Sequence, residues 1–189
     1  MGQAAANLHL DTYNLIGHSM GGKVAMWMAL QFPERITCLV LVAPGVIVPE
    51  MRGSGARLPG GSPEEMLALA MVHPDRRPAG YGSDSAVAAT QRAFVQRING
   101  ISREEELIGR VGEVQTPTLA LFGTADGLVS PDMGREYRAK MPNCSLAFVY
   151  DAAHEIFVDR PEALAGVVSD FLERHEVFVV GRGTGLINP

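Results

Sequence analysis

The chain has 189 residues, 47% of them hydrophobic and 20% charged, which is ordinary globular usage and speaks against disorder. At about 150 residues per domain this is roughly one domain, long enough to bury a core without disulfide staples. Sixteen basic against 21 acidic residues leave a formal charge of −5, which excludes a nucleic-acid binder working through a basic face and argues against a polybasic membrane anchor.

Thr12 to Gly17 (TYNLIG) is a short apolar run ending in glycine and predicts a strand. Met20 to Phe32 predicts a helix, and its stretch Val24 to Leu30 is apolar on every face, as for a helix buried on all sides. Phe32-Pro33 ends it, since the residue before proline avoids helical backbone. Ile36 to Val42 (ITCLVLV) is a continuous β-branched and leucine run, the pattern of a strand covered on both faces in a parallel sheet.

Composition then shifts. Pro49 to Pro63, rich in glycine and proline, reads as a loop. Helical patterns follow over Glu64 to His73, Ser85 to Asn99 and Arg103 to Arg110. Alternation resumes with a strand at Leu119 to Phe122, a helix at Pro131 to Lys140 and a strand at Leu146 to Tyr150. In the last helix Pro161 takes an early position, and Leu164, Val167, Val168, Phe171 and Leu172 form one apolar stripe.

Strand alternating with helix predicts an α/β layered domain with a mostly parallel sheet. The chain divides into a first core part (1–48), a helical insertion (49–110), a second core part (111–174) and a tail (175–189). An insertion at the carboxyl ends of the strands lies where ligands bind in such sheets, so it is a candidate lid. Its Met66, Leu67, Leu69, Met71, Val72, Phe94, Val95 and Ile98 suit a small apolar substrate, or serve only to bury the helices.

Cys38 and Cys144 make no disulfide framework and lie in no metal-ligand spacing, and Cys38 reads as a packed core thiol. The longest uncharged stretch, Ile36 to Pro49, is shorter than the ~20 residues of a membrane span. The amino terminus has no basic n-region, and Ala6 breaks a myristoylation motif. A cytoplasmic protein without a membrane partner is the expectation.

Gly17-His18-Ser19-Met20-Gly21 follows a strand and opens a helix, the setting that a G-x-S-x-G nucleophile elbow demands. The chain reverses there in a strained turn that exposes the Ser19 oxygen, and side chains at Gly17 and Gly21 are expected to collide with neighbouring backbone. The N–H of Met20, at the positive end of the helix, can face a developing oxyanion. Serine needs a base, and the base an orienting acid. Of five histidines, His9 and His175 flank the core. His18 lies within the elbow, its side chain expected to point away from the serine, and His73 ends a helix before proline. Each of these four reads as a surface or packing residue. His154 differs, because it follows the apolar strand Leu146 to Tyr150 at the edge where Ser19 emerges. Asp126, after the strand Leu119 to Phe122, ranks first as the acid. Asp151 competes from the same loop as His154, and Asp132 reads as a helix N-cap.

GHSMGG at Gly17–Gly22, ITCLVLVAP, PTLALFGTADGLVSPD and AAHEIFVDRPEAL together resemble the carboxyl-terminal part of an α/β-hydrolase. The resemblance implies a serine hydrolase with nucleophile Ser19, acid Asp126 and base His154, needing no cofactor or metal and acting on an ester or related carbonyl. Carbon–carbon hydrolysis, haloperoxidase and acyltransferase chemistry share that machinery. It also implies four strands and a helix before the elbow, roughly 65–80 residues, whereas eleven residues precede Thr12. The expectation is a shortened chain with an uncovered strand edge prone to self-association and a lost second oxyanion donor. A silent fragment that only binds a ligand or partner is the alternative to a weak hydrolase.

Overall fold

The uninterrupted apolar runs form the centre of the molecule. The computed structural model describes residues 2–46, 63–79, 90, 93 and 105–174. Among the described residues four strands make one sheet: β1 (Tyr13–His18), β2 (Ile36–Val42), β3 (Thr118–Gly123) and β4 (Cys144–Val149). Their order is β1-β2-β3-β4, and every neighbouring pair is parallel. Parallel neighbours require crossovers, which the helices supply. The short α1 (Gly2–Asn7) precedes β1, and α2 (Met20–Gln31) joins β1 to β2. Between β2 and β3 lie α3 (Pro63–Ala70) and α4 (Glu105–Arg110). Then α5 (Met133–Lys140) leads to β4, and α6 (Ile156–Asp159) and α7 (Pro161–Arg174) follow it.

Every position of β3 is buried, and all of β2 except Thr37, because each has a strand on both sides and helices over both faces. Alternate side chains divide between two cores. Leu39, Leu41, Ala120 and Phe122 meet Met26 of α2 and Tyr137 of α5 on one face; Val40, Val42, Leu119 and Leu121 meet Phe171 of α7 on the other. The stripe predicted for the last helix is the one that packs, with Leu164, Val167, Val168 and Leu172 around Phe171. Cys38 is fully buried, as expected. Neither cysteine forms a disulfide, and burial pushes the Cys144 thiol up to about 12. No helix among the described residues is long and apolar enough to cross a membrane.

Three expectations need correction or limits. Helix α2 is not buried on all sides: Ala25, Met26, Met28 and Ala29 face the core, but Val24 is 42% exposed. Only one side of α2 meets the sheet. The helix expected to reach His73 stops at Ala70, because the N–H groups of Val72 and His73 bond to the Asp159 carboxylate instead. The Gly/Pro-rich stretch, the helix over Ser85 to Asn99 and the tail from His175 lie outside the described residues, apart from residues 63, 90 and 93.

Among the described residues β1 pairs only with β2, and its Ile16 is 54% exposed. Because all strands run the same way, their carboxyl ends share one edge. Ser19 leaves β1 there, Asp126 follows β3 and His154 follows β4.

Candidate active site

Ser19 lies between the end of β1 and the start of α2 with φ 53° and ψ −117°, backbone that a non-glycine residue rarely adopts. Its N–H donates to Val42 O at 2.8 Å, which ties the turn to β2. A Cβ at Gly17 would fall 2.4 Å from Gly21 O, so the turn closes only on glycine there. Gly21 is a correction: a Cβ would meet nothing within 4 Å. The second tight position is Gly22, whose Cβ would stand 2.9 Å from Pro44 Cβ in the loop after β2. Gly17→Ala is therefore expected to lose about 3 kcal/mol or more, and Gly21→Ala to change stability by less than about 1 kcal/mol. Thermal unfolding followed by circular dichroism checks the contrast; equal losses would contradict it. Met20 opens α2, so its N–H belongs to the first turn, where no carbonyl four residues back can accept it.

His154 and Asp126 are both buried, and their side chains meet. His154 Nδ1 donates to Asp126 Oδ2 at 2.9 Å, while Asp126 Oδ1 accepts from Leu128 N and Val129 N, each at 2.8 Å. The carboxylate is fixed by its own loop, so it fixes the ring in turn. With the Nδ1 proton held there, neutral imidazole keeps Nε2 as an acceptor.

Asp151, the competing acid, goes elsewhere. Its Oδ2 lies 2.8 Å from His73 Nε2 and 3.8 Å from Arg160 Nη1. The bond from His73 holds the Asp151 carboxyl below the usual carboxylate range. Asp132 stands at the N-cap of α5 as expected but makes no side-chain cap bond, because its carboxylate pairs with Arg135 at 2.7 Å.

His18 packs against the site rather than facing solvent. Its Nε2–H donates to His154 O at 3.0 Å, and its ring lies 4.9 Å from that of His154 and 5.2 Å, edge-on, from Phe157. The residue before Ser19 thus touches the loop bearing His154. Burial, then the neighbouring His154, lowers the His18 pKa below its ordinary value. A lowered histidine favours the fold in its neutral form, so this stabilisation is complete above about pH 6.5 and is lost as pH falls toward the lowered native value. The urea midpoint is expected to drop between about pH 7.5 and 5.5, and less so in His18→Asn. An unchanged slope in the variant would contradict the assignment.

Glycine also decides how the Asp126 and His154 loops meet. A Cβ at Gly123, the last residue of β3, would fall 2.2 Å from Ala153 O. Sequence reasoning passed over this residue and also Asp159, which is fully buried with its carboxylate on the N–H groups of Val72, His73 and Ala153. No cluster of three or more His, Cys, Asp or Glu side chains among the described residues could hold a metal ion.

A four-stranded parallel sheet under helices, with an elbow serine on one strand and a buried aspartate–histidine pair after two others, is the arrangement of an α/β-hydrolase. Residues 3–161 match the family described as serine aminopeptidase, S33 (Hydrolase_4), and the chain belongs to it. It is 28% identical over 180 residues to N-formylmaleamate deformylase of Pseudomonas putida, with 89% of this chain and 66% of that protein covered. It is 28% identical over 178 residues to a pimeloyl-[acyl-carrier protein] methyl ester esterase of Serratia marcescens, covering 85% of this chain and 70% of the relative. The chain thus spans about two thirds of the length of these curated relatives. Among solved structures, a membrane phospholipase A described as a bacterial virulence factor superposes with TM-score 0.74 at 23% identity, covering 91% of this chain and 60% of that one. A meta-cleavage product hydrolase from Pseudomonas fluorescens IP01 gives 0.72 at 16% identity, with 90% and 68% covered. These two likenesses concern the fold.

Proposed function

We propose that this chain carries the nucleophile, acid and base of a serine hydrolase that cleaves an ester or a related acyl bond through an acyl-enzyme. Ser19 Oγ attacks the substrate carbonyl carbon while His154 Nε2 takes the serine proton. Collapse of the tetrahedral intermediate breaks the bond to the leaving group, which receives that proton from His154. Water then attacks the acyl-enzyme, giving a proton to His154; the acid departs and Ser19 recovers its hydrogen. Asp126 keeps the ring in the tautomer that can accept, and the Met20 N–H faces the oxyanion.

The observation that carries this reading is the buried 2.9 Å bond from His154 to Asp126, beside a loop that touches the elbow through His18. The relatives named as a deformylase and a methyl ester esterase favour an acyl group bound to a heteroatom over carbon–carbon cleavage. Helix α3, with apolar Met66, Leu67 and Leu69, is read as the base of a lid over a small apolar substrate. Two cysteines outside any disulfide suit a reducing compartment, the cytoplasm. Covalent capture by a fluorophosphonate probe, located by peptide mass spectrometry, tests the function. Label on Ser19 supports it; a folded chain that stays unlabelled there overturns it.

A further inference from the structure

The acid and base loops are gripped by a segment that belongs to neither. Leu69 O, at the end of α3, accepts from Gly127 N at 3.1 Å, and Ala70 O accepts from Glu155 N at 2.9 Å. Gly127 is the residue after Asp126, and Glu155 the residue after His154. The approach is close, since a Cβ at Gly127 would lie 3.1 Å from Leu69 Cα. Immediately beyond, the chain is caught by Asp159. Val72 N lies 3.0 Å from both carboxylate oxygens and His73 N 2.8 Å from Oδ1. Oδ2 also accepts from Ala153 N at 2.8 Å, the residue before His154. Arg76, farther along the same segment, donates to the backbone oxygen of Asp159.

Resting on the reading of Asp126 and His154 as acid and base, we infer that Asp159 is a positioning residue: its buried carboxylate joins the strap of residues 69–73 to the His154 loop, and the strap holds that loop in register with the Asp126 loop. The carboxylate supplies acceptors to three N–H groups, those of Val72, His73 and Ala153, and among the described residues these groups make no other bond. One is adjacent to the base and two lie on the strap, so loosening the knot frees both sides of the imidazole. Asparagine at 159 keeps one oxygen but turns an NH₂ toward these donors, leaving a buried N–H unmet. A displacement of ~1 Å at a reacting group costs up to ~10²-fold in rate.

The test compares the full chain with Asp159→Asn, Ser19→Ala and His154→Ala. Folding is checked by circular dichroism, and p-nitrophenyl acetate turnover is expressed per Ser19 titrated by the fluorophosphonate. The low-field proton resonance of the His154 Nδ1–H held by Asp126 is assigned by its absence in His154→Ala. In Asp159→Asn, kcat is expected to fall about 10- to 100-fold with KM within about twofold, and the resonance to move upfield or broaden. Unchanged kcat and resonance, or a loss that merely follows the number of titratable serines, overturns the proposal. If Asp159→Asn does not fold, Val72→Pro, which deletes one donor and spares the carboxylate, is expected to show the same kcat loss and resonance change; parental values overturn it. Turnover that survives in Ser19→Ala removes the hydrolase reading instead, and the resonance comparison still decides the role of Asp159.

Discussion

Ser19→Ala is expected to abolish ester turnover, with a loss in kcat on the order of 10⁶-fold, the scale seen when a relay-activated nucleophile is removed. The substitution deletes a single oxygen. The positive φ at Ser19 persists as a modest strain for alanine, and no side-chain cap bond is lost, because the serine makes none. Folding is therefore retained, and the change in rate reports chemistry. The measurement is p-nitrophenyl acetate hydrolysis against the background rate, with loss of fluorophosphonate labelling alongside. A variant within tenfold of the parent would show that another group attacks the carbonyl.

Asp126→Asn comes second, with an expected fall in kcat of ~10⁴-fold. Asparagine can leave its oxygen on the N–H groups of Leu128 and Val129, where Oδ1 now sits. Its amide nitrogen then meets His154 Nδ1, donor toward ring, and the imidazole proton moves to Nε2. A base whose reactive nitrogen is already protonated cannot accept from serine. The comparison variant is Asp151→Asn. Asparagine tolerates the φ of 56° at that position and can keep a bond to His73, so turnover is expected to stay within about twofold. If Asp151→Asn instead carried the large loss, the acid would have to be reassigned. Rates near pH 7, with KM measured for each variant, decide between the two.

Much of this arrangement is written in local pattern. The run Ile36 to Val42 shows its own two-sided burial, and the glycine–serine–glycine turn between strand and helix marks the proposed nucleophile. The meeting of Asp126 and His154 is legible because each follows a strand of a parallel sheet, and the carboxyl ends of such strands share one edge. Other features depend on partners distant in sequence. The strict spacing at Gly22 comes from Pro44, and the freedom at Gly21 comes from open space, neither visible in a pentapeptide. Val24 is as apolar as its neighbours, but its exposure depends on what lies beyond α2. Asp159 hides in VDRPE, which reads as a polar approach to a helix; its burial follows from N–H groups at 72, 73 and 153.

The crossing of Gly123 beneath Ala153 has an evolutionary corollary. Even a methyl group on that final strand residue would push aside the peptide unit leading into His154, so relatives that hold the imidazole in the same place are expected to carry glycine there. Drift at 123 without a rebuilt approach to the imidazole would then mark descendants that have abandoned the proposed chemistry while retaining the scaffold.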